Sequence, residues 1–422
     1  MFTNFLKYFD LIKNKGIVLS LKVFSMGVKF FFFSIILPKE LAIEDYGEIS
    51  LILTSITFFL FIVGFDFYNY AHRDFINDKP QEIASKLFNQ FVFSIVLFII
   101  VCPIFYSFMY FSGLNFIFLA LMLLYTEYLG QELYRLLILF SKPILANIIL
   151  FFRSSLWILL LLFIYRFNGW EIDIRSILIY WLLGNFLLIG ILTFYSLSIL
   201  SSFKFKYKLN IGWIKKGAIV SIPFLFSTLT LKCIELSDRF IIGYFYSNLE
   251  VGIYSFYSNL ANSLNVVINT AVVIMVYPKI LRLIKEEKLN ELKKVYKAYV
   301  IEIIIVLATF ILILFFLFDN IVIWIGKPIY SGDELTFWLL IGGNIFFNLS
   351  LAPHIILYGF HKDKQLILPV VIACGVNLLL NFILIPLFGI FGAGLSTLVG
   401  FIIIYLMKTY SVLKQISPLW LK

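Results

Sequence analysis

The sequence predicts an all-α integral membrane protein with about twelve transmembrane helices. Apolar residues fill 62% of the 422 positions and charged residues only 14%, whereas soluble globular chains are about one-quarter charged. The apolar residues also fall in runs of roughly twenty, the length that crosses ~30 Å of hydrocarbon as a helix. A third observation concerns the plan of the chain. Asp45-Tyr46-Gly47-Glu48-Ile49-Ser50 lines up with Glu250-Val251-Gly252-Ile253-Tyr254-Ser255, and the two glycines lie 205 positions apart, about half the chain. That is the mark of a duplicated half.

Residues 1–16 place Phe2, Phe5, Leu6 and Phe9 on one helical face, with Lys7, Lys13 and Lys15 elsewhere. They read as a cytoplasmic amphipathic segment on an anionic leaflet, or as a disordered tail. No cleavable signal peptide precedes the first span. Six spans follow, near 17–37, 49–67, 87–111, 116–137, 143–165 and 177–199, forming an N-terminal six-helix bundle over 17–199. A cytoplasmic linker, 200–213, leads to the second bundle, 214–410. Its spans lie near 214–245, 251–277, 299–318, 335–359, 366–387 and 389–408, and a cytoplasmic tail, 411–422, closes the chain. The connections are too short to hold a soluble domain. Loop 278–298 is the most basic, and Leu281, Ile284, Leu289, Leu292 and Val295 give it an apolar stripe, so it should lie along the inner face. Pro103 and Pro223 bend spans three and seven, as hinges or as static kinks.

Positive charge sets the orientation. Of the 34 lysines and arginines, 25 fall in one set of connections and termini, and four (Lys39, Arg166, Arg175 and Lys327) in the other. Both termini are therefore expected in the cytoplasm. The net charge of +10 reflects topology and contact with anionic lipid rather than a nucleic-acid surface.

The five remaining cations, Lys22, Lys29, Arg153, Lys232 and Arg239, lie inside the spans. A charge at bilayer depth costs at least ~2.5–3.5 kcal/mol, so such residues face a bundle interior or a wet cavity. Lys22 and Arg239 are also placed where they could snorkel to the headgroups. Lys232, Glu235 and Arg239 share one helical face, with Asp238 beside them. Glu235 and Asp238 either pair with Lys232 and Arg239, or Glu235, like Glu127, couples transport to an ion. Asn259, Asn262 and Asn269 line up in span eight and Asn344 with Asn348 in span ten. They suit interhelical hydrogen bonds or contact with sugar hydroxyls.

Enzyme chemistry finds no motif. The chain has no P-loop, GxGxxG or nucleophile elbow. His72, His354 and His361 lack zinc spacing, and Cys102, Cys233 and Cys374 read as free thiols. No cofactor and no metal are expected.

With Glu44-Asp45-Tyr46-Gly47, Ile49-Ser50-Leu51, Ser237-Asp238-Arg239-Phe240-Ile241-Ile242-Gly243, Glu250-Val251-Gly252-Ile253-Tyr254-Ser255 and Gly389 with Gly392-Ala393-Gly394, the chain resembles the polysaccharide-repeat flippases. These are the O-antigen type exporters of the multidrug/oligosaccharidyl-lipid/polysaccharide exporter superfamily. The resemblance implies two pseudo-symmetric six-helix bundles around a central cavity that opens alternately to each side. It implies an undecaprenyl-diphosphate-linked oligosaccharide as substrate, turned from the inner to the outer leaflet of the bacterial cytoplasmic membrane, as in lipopolysaccharide assembly. It also implies a monomer among membrane lipids, with a polysaccharide polymerase and a chain-length regulator as partners. Binding of the diphosphate by Lys22, Lys29, Arg153, Lys232 and Arg239 is inferred from their charge. A lipid-precursor or drug exporter of the same fold is the nearest alternative. The first span carries Lys22 and Lys29 and no carboxylate, which argues against drug export. A membrane polymerase or ligase is a third alternative, but the small outward loops offer it few candidate residues.

Overall fold

The computed structural model of the chain describes residues 2–75, 78, 80–169, 171–200 and 208–415; for 2–15, 17, 80, 81, 168, 191–200 and 415 it describes the backbone alone. The apolar face expected on the N-terminal segment, residues 201–207 of the linker and residues 416–422 of the tail lie outside this description.

Every regular element among the described residues is helical. α1 (Phe2–Phe31) runs through a π-helical turn, Phe32–Ile36, into α2 (Leu37–Glu40), and α3 (Ile43–Gly64) follows. Phe65 and Asp66 then take left-handed backbone angles, φ 52° and 46°. Side chains with a Cβ pay for that conformation, and helices do not continue through it. α4 (Tyr68–Phe75) restarts the chain. α5 (Pro80–Phe111) and α7 (Pro143–Phe151) each open on a proline, where the missing N–H costs nothing. Between them lies α6 (Ile117–Leu139). A second π turn, Phe152–Leu156, joins α7 to α8 (Trp157–Asn168), and α9 (Ile174–Leu200) and α10 (Ile211–Phe245) follow. The remaining helices are α11 (Asn248–Ile268), α12 (Ile274–Lys285), α13 (Leu289–Ile325), α14 (Glu334–Leu349), α15 (Leu351–Gly359) and α16 (Asp363–Gln415).

Nine stretches among the described residues are long and apolar enough to cross a membrane. The longest, Asp363–Lys414, contains Gly389 at φ 59°, ψ −138°, which no helix accommodates, so it makes two passes. α6, with 23 residues, and α9, with 27, are also long enough. Twelve passes result, as the sequence predicts. Large apolar side chains point outward along them: Phe111 is 85% exposed, Ile323 76% and Phe118 69%. The protein is a multi-pass membrane protein, and this surface is the one lipid covers.

The chain forms two compact units. One comprises residues 1–33 and 51–229, the other 34–50 and 230–422. The division does not follow the repeat boundary near 200–213.

The first unit is cored by aromatic rings. Trp157 stacks on Trp181 with centroids 5.3 Å apart, and Phe32 meets Trp157 edge-on at 5.5 Å. Gly184 makes this possible, since a Cβ there would lie 2.9 Å from Trp157 Cβ. A second cluster gathers Phe67, Tyr70, Ala71 and Phe75 beneath Trp213.

In the second unit the repeated motif packs against its own copy. A Cβ on Gly47 would collide with the Asn248 carbonyl oxygen, and one on Gly252 with the Ile43 carbonyl oxygen. Both pairs of partners are related by the 205-residue shift, so the contact is reciprocal. Only glycine permits this approach. Ser247 starts α11 with a capping box: its Oγ accepts from the Leu249 N–H at 3.2 Å, and Glu250 accepts from the Ser247 N–H at 3.2 Å. Cys233 and Cys374, far apart in sequence, meet in a core cluster with Ile234, Ala373 and Phe401 and stay reduced.

Candidate functional site

The first unit brings together three charged residues from three elements. Glu127 on α6 is 6% exposed. Its Oε1 accepts from Trp181 Nε1 at 2.6 Å and from Asn185 Nδ2 at 3.0 Å, both on α9. Its Oε2 lies 3.3 Å from Arg153 Nε. Arg153 sits in the π turn between α7 and α8, where one extra residue per turn redirects side chains. The turn is held by Trp157 Nε1, which donates to the Arg153 carbonyl at 3.1 Å, and by Ser155 Oγ, which donates to the Ser25 carbonyl at 2.9 Å. Gly130 on α6 makes room for the arginine, since a Cβ there would lie 2.8 Å from Arg153 Cδ.

Lys29 joins them from α1. Its Nζ lies 5.4 Å from the centre of the Trp181 ring and 5.9 Å from that of Phe33. Glu127 and Arg153 are its charged neighbours. Two cations thus surround one carboxylate, leaving a surplus of one positive charge. Arg153 Nη1 is buried and has no hydrogen-bond partner among the described residues. An unmet donor beside surplus charge is an arrangement that an anion completes. Lys22, two turns away on α1, is half-buried, with no carboxylate in ion-pair range among the described residues.

The second unit holds the other two cations differently. Lys232 Nζ pairs with Glu235 Oε2 at 2.5 Å, so that pair is neutral. Arg239 is 5% exposed, which excludes snorkelling in this structure. Its Nε donates to Ser255 Oγ at 3.2 Å, and its Nη2 donates to Ser258 Oγ at 3.1 Å and Asn259 Oδ1 at 3.4 Å, all on α11. Asp238 does not pair with Arg239, because consecutive helix residues face different ways. Its Oδ2 accepts from Tyr254 Oη and from Thr397 Oγ1 at 2.8 Å instead.

The asparagines also divide. Asn265 is the hub: its Nδ2 donates to Asn344 Oδ1 at 2.7 Å, and its Oδ1 accepts from Asn348 Nδ2 at 2.6 Å. Sequence spacing had picked out its neighbours and missed it. Asn344 and Asn348 are buried in this network, Asn262 bonds Ser258 at 3.3 Å, and Asn269 is exposed, its Nδ2 donating to the backbone carbonyl of Asn265 at 2.7 Å. Asn259 Nδ2 donates to Tyr46 Oη at 3.0 Å. Trp181 and Asn185 were also missed, since an indole and an amide in an apolar run carry no charge signal. Among the described residues no group of three His, Cys, Asp or Glu could hold a metal ion.

No curated protein matches the chain. Among solved structures, it is similar to the lipid II flippase MurJ in an inward closed conformation. The identity is 19%, over 96% of this chain and 89% of that one, with a TM-score of 0.69. It is similar to an inward-facing multidrug resistance MATE family transporter of the MOP superfamily, at 12% identity over 96% and 98% of the chains, TM-score 0.68. A MATE in the straight conformation aligns at 12% identity over 96% of each chain, TM-score 0.61. These likenesses establish the fold. The sequence pattern described as polysaccharide biosynthesis protein matches residues 11–284, about two-thirds of the chain. The chain belongs to the polysaccharide biosynthesis protein family, on the all-helical fold of the MOP-superfamily transporters.

Proposed function

We propose that the protein is a flippase, not an enzyme. It turns an undecaprenyl-diphosphate-linked oligosaccharide repeat unit from the inner to the outer leaflet of the bacterial cytoplasmic membrane by alternating access. The observation that carries this reading is the surplus positive charge at Lys29, Arg153 and Glu127. A diphosphate bears about two to three negative charges and cannot enter hydrocarbon unaided. Arg153 offers it a fork of N–H donors and Lys29 a point charge. Lys22, Lys232 and Arg239 serve the headgroup at other stages of its passage. Glu127 acts as a counterion that keeps the site tolerable when empty, and the Lys232 partner Glu235 does the same. Half-buried Asn259 and Asn262 are the amides best placed for sugar hydroxyls. Asn344 and Asn348 are committed to Asn265, and Asn269 to its own helix.

The remainder follows from the family and the charge asymmetry. Both termini lie in the cytoplasm, the protein works as a monomer among membrane lipids, and it serves surface polysaccharide such as O-antigen of lipopolysaccharide. A polymerase and a chain-length regulator act after it.

Deleting the protein and identifying the accumulated lipids by mass spectrometry tests the reading. A polyprenyl-diphosphate oligosaccharide should build up, and the wild-type chain should clear it. Arg153→Ala and Lys29→Ala should each clear it roughly tenfold to a hundredfold more slowly, the size of a lost hydrogen bond to a charged group. Accumulation of no such lipid, or full clearance by both variants, contradicts the proposal.

A further inference from the structure

A second charged cluster in the first unit carries the opposite sign. Asp66 sits in the left-handed turn between α3 and α4 and is 4% exposed. Its Oδ2 accepts from Thr228 Oγ1 on α10 at 2.6 Å. Among the described residues no cation lies within ion-pair distance of it. Glu132 on α6, 8% exposed, faces the same region. One of its oxygens lies 2.5 Å from Arg135 Nη1, and the other accepts from Gln90 Nε2 on α5 at 2.8 Å. Gln90 is 5% exposed, and the Oε1 of that same carboxamide is buried without a partner among the described residues. Arg135 is further held over the Tyr68 ring at 3.8 Å, on α4.

The charges do not balance. Asp66 and Glu132 contribute two negative charges and Arg135 one positive. His72 on α4, a further titratable neighbour, adds none at neutral pH, because burial and Arg135 hold its imidazole down at about 4. Tyr68, Tyr128 and Thr228 are neutral. Burying a carboxylate with no counterion is prohibitive, and such groups bind a cation or take up a proton. Burial pushes the Asp66 carboxyl above the ordinary aspartate range, against the opposing pull of Thr228 and Arg135. Arg135 already occupies one oxygen of Glu132 and Gln90 the other, whereas Asp66 is held by Thr228 alone through Oδ2 among the described contacts, so Asp66 is the carboxylate left to take a new partner. A proton needs no coordination shell and fits a single carboxylate better than a metal ion, which would require several further ligands; among the described residues no group of three such ligands is found.

We propose that Asp66, supported by Glu132 and Gln90, is a proton-binding site, and that its proton is the one coupled to transport. The coupling half of this statement rests on the flippase reading, whereas the binding half does not. The site is distinct from Glu127 and Glu235, the carboxylates within the spans that the sequence offered for the role and which are each tied to a cation.

Infrared spectroscopy of the full chain in phosphatidylethanolamine–phosphatidylglycerol vesicles tests the binding half without any substrate. At neutral pH the wild type should show a carboxylic-acid C=O band that shifts in D2O and fades as pH rises. Asp66→Asn should lose it, Asp74→Asn should keep it, and Thr228→Val, which removes one bond to Asp66, should move it. An Asp66→Asn spectrum identical to wild type overturns the proposal, as does loss of the wild-type band on adding NaCl at constant pH, which would assign the site to sodium. For the coupling half, vesicles containing the accumulated polyprenyl-diphosphate lipid are given a proton gradient. The gradient should speed leaflet transfer by wild type and not by Asp66→Asn. An equal response from both overturns the coupling. No transfer by wild type under any condition contradicts the flippase reading while leaving the band in place.

Discussion

Arg153 condenses the account at the level of one side chain. A π turn directs it, Gly130 gives it space and Glu127 binds one nitrogen, yet Nη1 is left without a partner. Part of this was legible in the sequence: a charge in an apolar run announces itself, and Lys29, Arg153 and Glu127 were all singled out. Their meeting was not legible, because the three lie on separate helices and nothing in their spacing links them. Trp181 and Asn185 hold Glu127 in place, and that role leads to a test. Trp181→Phe removes the 2.6 Å bond to Glu127 and the indole beneath Lys29, and should lower stability by about 1–3 kcal/mol, the cost of an unsatisfied buried acceptor. Denaturant or thermal unfolding in detergent reads this directly. A change below ~0.5 kcal/mol would mean that the carboxylate is not held as described.

At the scale of helices, the informative feature is the crossing of α3 and α11. The duplicated Gly47 and Gly252 were visible in the sequence as a repeat, and only the structure gives the reason: each backbone touches the first turn of the other helix. Gly252→Val should separate the two helices and cost at least ~1–3 kcal/mol through overpacking against backbone that cannot yield. Ser247→Ala, which removes the cap of α11, should cost only about 1 kcal/mol. Equal effects would assign the glycine to helix propensity and not to close approach. The same scale separates the boundaries that were read from those that were not. The break at Gly389 falls between the spans read at 366–387 and 389–408, whereas the turn built from Phe65 and Asp66 was read as part of the span near 49–67.

For the molecule as a whole, hydropathy and the repeat were sufficient to give an all-helical, twelve-pass protein, since lipid demands that every backbone amide be satisfied within its own helix. Charge bookkeeping supplied less. Five cations in the spans counted alike as diphosphate ligands, but they differ in kind: Lys232 is neutralised by Glu235 and Arg239 is bound by hydroxyls and an amide, while Lys29 and Arg153 retain excess charge. Partner choice is a tertiary property, so sequence could count these residues but not rank them. The central claim is that this surplus charge carries a diphosphate across the bilayer. Its most direct test is the rate at which the purified chain, in vesicles loaded with polyprenyl-diphosphate oligosaccharide, exposes that lipid to the opposite face. The wild type should transfer it, and the Lys29→Met, Arg153→Met double variant, folded and inserted, should be no faster than protein-free vesicles. Transfer by the double variant at the wild-type rate would contradict the account.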